Sequence, residues 1–347
     1  MGISEQGIEI FSAYNRQVSR ILRIFSGFFA FGIVVAALQQ PVSAKSLPPA
    51  KTKGAYQSCT YPKSNAPAKP YVPKARSWAE KGVDSLVKGV DISQWQHTND
   101  QAIDFASLKN TYGVSFVFIK ASDGGNRDKG KSAYWFPIDS KAARDQGLIV
   151  GAYHYAVPGM LGTGDMLPTG PKKPKSVWNA KVKTARDNRT NDAKLQAAMA
   201  YKQSGNNPKG DLPLTLDIEE RPCGWSWQQV AAWSRDFLLE YEKISGRKPI
   251  VYCNGYMINK LVANKVADPR VKGAKFNFSA YPLWVAQWSL TKTTNPPAVG
   301  IWNDKWSFWQ FSSDGVLRDS VPTIPSARTD LDVFNGSLES LQALANQ

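Results

Sequence analysis

The residues best placed to do chemistry close one apolar run, Leu212-Pro213-Leu214-Thr215-Leu216-Asp217-Ile218-Glu219. In an extended strand, successive side chains point to opposite faces. Leu212, Leu214, Leu216 and Ile218 then share one face, while Thr215, Asp217 and Glu219 share the other. Two anions buried side by side are costly, and the usual relief is that one of them keeps its proton. A protonated carboxyl beside an ionised one is the pairing that glycoside hydrolysis uses. Spacing alone does not settle this, because solvated acids at a strand end satisfy D-x-E equally well.

Two further acids occupy comparable places. Asp91 lies in Gly89-Val90-Asp91-Ile92-Ser93, and Asp330 opens Asp330-Leu331-Asp332-Val333-Phe334. If first and last strands meet in a closed barrel, Glu219, Asp217, Asp91 and Asp330 converge on one mouth. Such a convergence is hard to explain as surface decoration.

The elements that must position these acids can be read from the apolar periodicity. Strands are expected at Gly89–Ser93, Ser115–Ala121, Leu148–Tyr155, Leu212–Glu219, Pro249–Asn254, Leu283–Trp288, Ser307–Phe311 and Asp330–Phe334. The clearest helix is Trp227–Ile244, with Val230, Trp233, Phe237, Leu238, Tyr241 and Ile244 on one face. Ser226 and Gln229 form its capping box, and Gly246 ends it. After residue 270 the helical patterns fade and only strands and loops remain. Alternation followed by consecutive strands predicts an α/β barrel completed by a strand-only segment. Residues 157–190 read as a long Pro/Gly/Lys-rich loop, which is either a wall-gripping element or disordered.

Composition bounds the partners. The 347 residues carry a net charge of +15, with 12 Trp and 13 Tyr. The charge points to an anionic partner: nucleic acid, acidic lipid or a wall polymer. Arg16, Arg20 and Arg23 precede the apolar run Ile24–Leu38 and then Val42-Ser43-Ala44, the layout of a secretory signal at residues 1–44. The run is short for a membrane span of ~20 residues. Cleavage after Ala44 removes three Arg and two Glu, leaving +14 and a secreted or wall-associated monomer with no stable membrane insertion. A protein outside the cell does not meet cytoplasmic nucleic acid, so no nucleic-acid partner is expected. Residues 45–85 are rich in Lys, Pro, Ala and Ser and read as a linker, leaving 86–340 for the catalytic barrel. Of the three cysteines, Cys223 and Cys253 flank neighbouring elements and are the expected disulfide, with Cys59 left in the linker. His97 and His154, the only histidines, have no ligand partners near them in sequence, so no metal or other cofactor is expected.

Gly89-Val90-Asp91-Ile92-Ser93-Gln94-Trp95-Gln96 resembles the opening motif of the family 25 glycoside hydrolases, the Chalaropsis-type lysozymes. Phe118–Ser122, Gly151–Ala156, Leu216–Glu219, Trp284–Trp288, Trp309–Ser313 and Asp330–Gly336 resemble later motifs of that family, in its order. The resemblance implies a modified, incomplete TIM-like barrel of eight strands and about five helices, the last strands without intervening helices. It implies β-1,4-N-acetylmuramidase activity on bacterial peptidoglycan. Glu219 is then the general acid/base, Asp217 its partner, and Asp91 and Asp330 supporting acids. Tyr153, Tyr155, Tyr252, Trp284, Gln287, Trp288 and Trp309 fall where such enzymes line the substrate groove, with core packing the alternative for each ring.

Rival readings lose ground on particular residues. A chitinase-like hydrolase carries aspartates two and five residues before its D-x-E Asp, where this chain has Thr215 and Leu212. A catalytically weak wall-binding protein typically lacks an acid, and all four are present. A hydrolase of another N-acetylated glycan remains the nearest alternative.

Overall fold

The computed structural model describes residues 58–60, 74–124, 128–160, 175–296, 299–302, 305–317 and 323–347. The expected signal at 1–44 lies outside them. Eight strands close into one barrel in chain order: β1 (Val87–Ile92), β2 (Val114–Asp123), β3 (Ile149–Tyr155), β4 (Leu212–Asp217), β5 (Ile250–Asn254), β6 (Leu283–Ala286), β7 (Phe308–Gly315) and β8 (Thr329–Phe334). Strands β1 to β7 run parallel, while β8 is antiparallel to both β7 and β1. The hydrogen-bonded ring is therefore complete, and the departure from a regular TIM barrel lies in the reversed last strand and thinned helical layer. Helices α1 (Trp78–Lys81), α2 (Phe105–Asn110), α3 (Lys131–Asp145), α4 (Lys175–Gln203), α5 (Trp227–Ser245), α6 (Gly255–Ala263) and α7 (Leu338–Ala345) surround it. No described helix is long and apolar enough to cross a membrane.

The interior is filled by rings. Phe116 and Phe118 of β2 pack edge-on against Phe308, and Phe118 stacks on Trp284 at 4.1 Å. Room for them comes from glycines on the flanking strands. A Cβ at Gly89 would lie 2.2 Å from the Phe116 ring, and one at Gly151 would lie 2.3 Å from Phe118. Leu341 and Ala345 of α7 join this cluster. Outside the ring, Leu214, Leu216 and Ile218 meet Val230, Trp233 and Phe237 of α5. The Ser226–Gln229 capping box forms as expected, and Gly246 ends α5 in the left-handed conformation.

Several expectations are corrected. Leu212 belongs to the interior cluster, not to the face of Leu214, because the β3–β4 register shifts between Gly151 and Tyr153 and opposes two steps by three. The linker expected at 45–85 ends early: Ala75, Trp78 and Lys81 are buried, and the Trp78 indole donates to Asp332 O at 2.8 Å. Residues 157–190 are not one loop, since α4 begins at Lys175; residues 161–174 lie outside the described set. The strand-only ending omits α7, an eight-residue helix too short to stand out in periodicity. The disulfide is Cys59–Cys223, with Cα atoms 4.8 Å apart, and Cys253 is a free buried thiol on β5. Cys253 belongs to the outer core cluster.

Both histidines are structural. His97 stacks on Trp135 at 3.6 Å and meets Asp139 at 2.9 Å. His154 lies between Ser122 Oγ at 2.7 Å and Gln196 Oε1 at 3.0 Å. The Gln196 amide nitrogen donates to Val157 O and Asp192, so its oxygen accepts and the imidazole is the neutral Nε2–H tautomer. Burial lowers its pKa to about 4. The unfolded imidazole binds a proton below about 6.5 that the folded one refuses, so this contribution to stability is intact above that pH and is lost as pH falls toward 4.

Candidate active site

The strand ends of β1 to β7 and the start of β8 face one mouth, where loops build sites in barrel enzymes. Interior positions alternate along each strand, so Asp91 stands on β1, Lys120 on β2, Tyr153 and Tyr155 on β3, Asp217 on β4, Tyr252 on β5, Gln310 on β7 and Asp330 on β8. Asp91 and Asp330 are register partners, as are Tyr155, Asp217 and Tyr252 in sequence across three strands. Glu219 lies two residues beyond β4, half-buried. The structure thus brings the four expected acids to one end of the barrel.

Gln310 ties the mouth together. Its amide nitrogen donates to Asp91 Oδ2 at 2.8 Å, while its oxygen accepts from the Tyr252 hydroxyl at 3.0 Å and the Trp288 indole at 2.9 Å. Below it, Asp332 accepts from the Trp284 indole at 2.8 Å. Burial and the Asp332 charge push Asp91 well above the usual carboxylate range, with the Gln310 hydrogen bond opposing.

Asp217 is 4% exposed, and its Oδ1 is buried without accepting a hydrogen bond from any described residue. Burial, then the Glu219 charge, push its pKa well up. Glu219 is raised too, by burial and then by Glu220, which accepts from the Tyr155 hydroxyl at 2.8 Å. Lys120 opposes both shifts. Its ammonium is buried, bonds Asp123 at 2.6 Å and lies 4.8 Å from the centre of the Tyr155 ring. Asp330 is raised by burial and by Asp91, with Lys74 opposing. Among the described residues the mouth is therefore a carboxylate cluster with Lys120 as its buried counter-charge, which raises the pH at which its carboxyls release protons.

The groove rings divide. Trp288 is 45% exposed, with Lys74 Nζ 3.8 Å above its ring, and can offer a flat face to a sugar. Tyr153 and Tyr252 line the wall below it. Gln287 is half-buried, its backbone nitrogen bonded to Gln310 O. Trp284 is 1% exposed and forms the floor, stacked on Phe118. Trp309 is fully buried on the outer face of β7, under Lys81, so it is a core ring and the expectation that it lines the groove is corrected. One residue on, Gln310 takes the inward place. Lys120, Glu220, Gln310 and Asp332 escape the motif reading. Period-two alternation finds three of them, because Lys120 follows Phe116 and Phe118 inward, Gln310 follows Phe308, and Asp332 follows Asp330.

Among the described residues, no group of three or more His, Cys, Asp or Glu is arranged to hold a metal ion.

The sequence profile of Glycosyl hydrolases family 25 matches residues 90–164 and 183–320. A bacterial lysozyme from Streptomyces coelicolor has a similar fold, with TM-score 0.53 and 26% identity over 75% of this chain and 97% of that one. A muramidase from Acremonium alcalophilum gives TM-score 0.50 and 26% identity over 75% of this chain and 99% of that one. The uncharacterized protein YegX of Escherichia coli K12 is 27% identical over 260 residues, 75% of this chain and 74% of that one.

Proposed function

This chain belongs to glycosyl hydrolase family 25 and is a glycoside hydrolase, and from that premise we propose that it cleaves the β-1,4 bond between N-acetylmuramic acid and N-acetylglucosamine in bacterial peptidoglycan. The observation that carries the reading is the pair at the end of β4: a half-buried Glu219 beside a buried Asp217 whose Oδ1 has no donor among the described residues. The muramic residue carries a 2-acetamido group, and its N–H is the donor that Asp217 lacks. Accepting that N–H favours ionised Asp217, so the proton shared by the pair settles on Glu219.

The chemistry then runs in two displacements. The acetamido carbonyl oxygen attacks C1 while Glu219 gives its proton to the departing O4, and the C1–O4 bond breaks. Asp217 balances the positive charge on the resulting oxazolinium ring. Glu219, now ionised, takes a proton from water, whose oxygen attacks C1 and reopens the ring with net retention. Asp91, tied to Gln310, and Asp330 across from it shape the electrostatics of the mouth and do not attack.

The same reading assigns the enzyme to the cell exterior or the wall, as a monomer whose excess of positive charge is drawn to anionic wall polymers. Mass spectrometry of fragments released from purified peptidoglycan tests it. Reducing-end N-acetylmuramic acid is the expected product; reducing-end N-acetylglucosamine would assign the other glycosidic bond and overturn the reading.

A further inference from the structure

Glu219 stands beyond the last residue of β4, where the sheet no longer holds the main chain. The final contacts from the barrel are Ala156 N to Asp217 O at 2.8 Å and Ile218 N to Tyr252 O at 3.1 Å. The support on the far side comes from a segment far upstream. Ser58 forms an antiparallel bridge to Pro222, and Cys59 N donates to Arg221 O at 2.7 Å. The Thr60 hydroxyl donates to Glu219 O at 3.1 Å and accepts from Arg221 N at 2.8 Å. A hydroxyl has one proton, and this one is given to Glu219, so the 2.9 Å contact with Ser58 Oγ is a bond that Ser58 donates. Thr60 is 5% exposed, and Tyr256 of α6 donates to its carbonyl. The Arg221 guanidinium closes the turn, bonding Cys59 O on one side and Trp225 O on the other.

Cys59–Cys223 makes this arrangement durable. It joins residues 164 apart in sequence and keeps Ser58–Thr60 at the mouth at a high effective concentration. The family profile begins only at residue 90, so the clasp is an addition to the matched barrel.

We propose that Thr60, held by the Cys59–Cys223 disulfide, is a positioning residue for Glu219: an added edge segment that fixes the main chain carrying the acid/base. The proposal rests on the assignment of Glu219 given above. Without the hydroxyl, Glu219 O and Arg221 N both lose their partner and the carboxyl wanders from the leaving oxygen. Misplacement by about 1 Å costs up to ~10²-fold in rate. Because the disulfide opens in a reducing compartment, full activity appears only where disulfides persist.

The test compares full-length wild type, Thr60→Val, Thr60→Ser and Glu219→Gln on a soluble peptidoglycan oligomer, recording kcat, KM and the pH profile. Thr60→Val should lower kcat about tenfold to 10²-fold with KM within about twofold, and shift the acid limb of the profile. Thr60→Ser, which keeps the hydroxyl, should restore both. In parallel, wild type is treated with dithiothreitol, which is oxidised to its cyclic disulfide as Cys59 and Cys223 gain two electrons and two protons. The kcat should fall by a similar factor and return on reoxidation, while buried Cys253 takes no part. Should Thr60→Val fail to fold, this reversible arm decides alone. Unchanged kcat and pH profile in both arms, with Glu219→Gln inactive, would overturn the positioning role and leave the assignment of Glu219 standing. An active Glu219→Gln would remove the assignment itself.

Discussion

Glu219→Gln should lower peptidoglycan hydrolysis by at least ~10²–10⁴-fold, the usual contribution of a general acid and base. The amide keeps the shape of the side chain but can neither give up a proton to the departing oxygen nor accept one from water. Of the four acids, Glu219 is the one that stands half-buried just past a strand end, its proton affinity raised by burial and then by the Glu220 charge. Binding to wall material should survive, because the groove ring Trp288 and the Gln310 network are untouched. A variant that kept more than about a tenth of the wild-type rate would transfer the acid role elsewhere.

Asp217→Asn should lose activity and gain stability together. The amide cannot carry the negative charge that balances the oxazolinium, and removal of one preorganised electrostatic partner costs about 10²–10³-fold. The interaction develops in the transition state, so kcat and kcat/KM should fall alike. The stability gain follows from the raised pKa. The folded protein keeps a proton that the unfolded chain has released, so the native state binds more protons across the window above the ordinary carboxylate value. Stability from this group is fully present at low pH and is lost as pH rises through the folded pKa. Asparagine escapes that loss. At neutral pH the variant should melt at least about 2 °C higher, the shift expected for ~1 kcal/mol in a domain of this size. The gain should vanish near pH 4, and calorimetry across pH 4–7 reads both. A variant less stable than wild type at pH 7 would mean that Asp217 is a stabilising structural acid.

Much of this architecture is legible in the sequence because the barrel repeats two simple signals. Each strand is a short apolar run, and each inner face alternates with an outer one that meets helices. That locates all eight strands and puts Asp91, Asp217, Glu219 and Asp330 at one end. Alternation fails where the chain departs from it. Pro213 lies in the shifted β3–β4 register, which moves Leu212 inside. Rings are also ambiguous by type: Trp288 and Trp309 are both tryptophans near strand ends, yet Trp288 stands exposed beyond β6 while the phase along β7 puts Trp309 in the outer core. Cys59 is harder still. Its segment has the composition of a tether, and nothing local announces that it returns to the loop after β4. The helix α4 hides for the opposite reason, since its sequence is polar and gives little periodic signal.

The central claim is that the substrate's own acetamido group attacks C1, guided by Asp217, with Glu219 moving the proton. Two displacements return the configuration of the starting bond, whereas direct attack of water, with Asp91 as base, inverts it. Proton NMR during the first seconds of cleavage of a soluble peptidoglycan oligomer distinguishes them before mutarotation mixes the anomers. The β anomer of the new reducing end should appear first. An initial α anomer would contradict the account and make Asp91 the base.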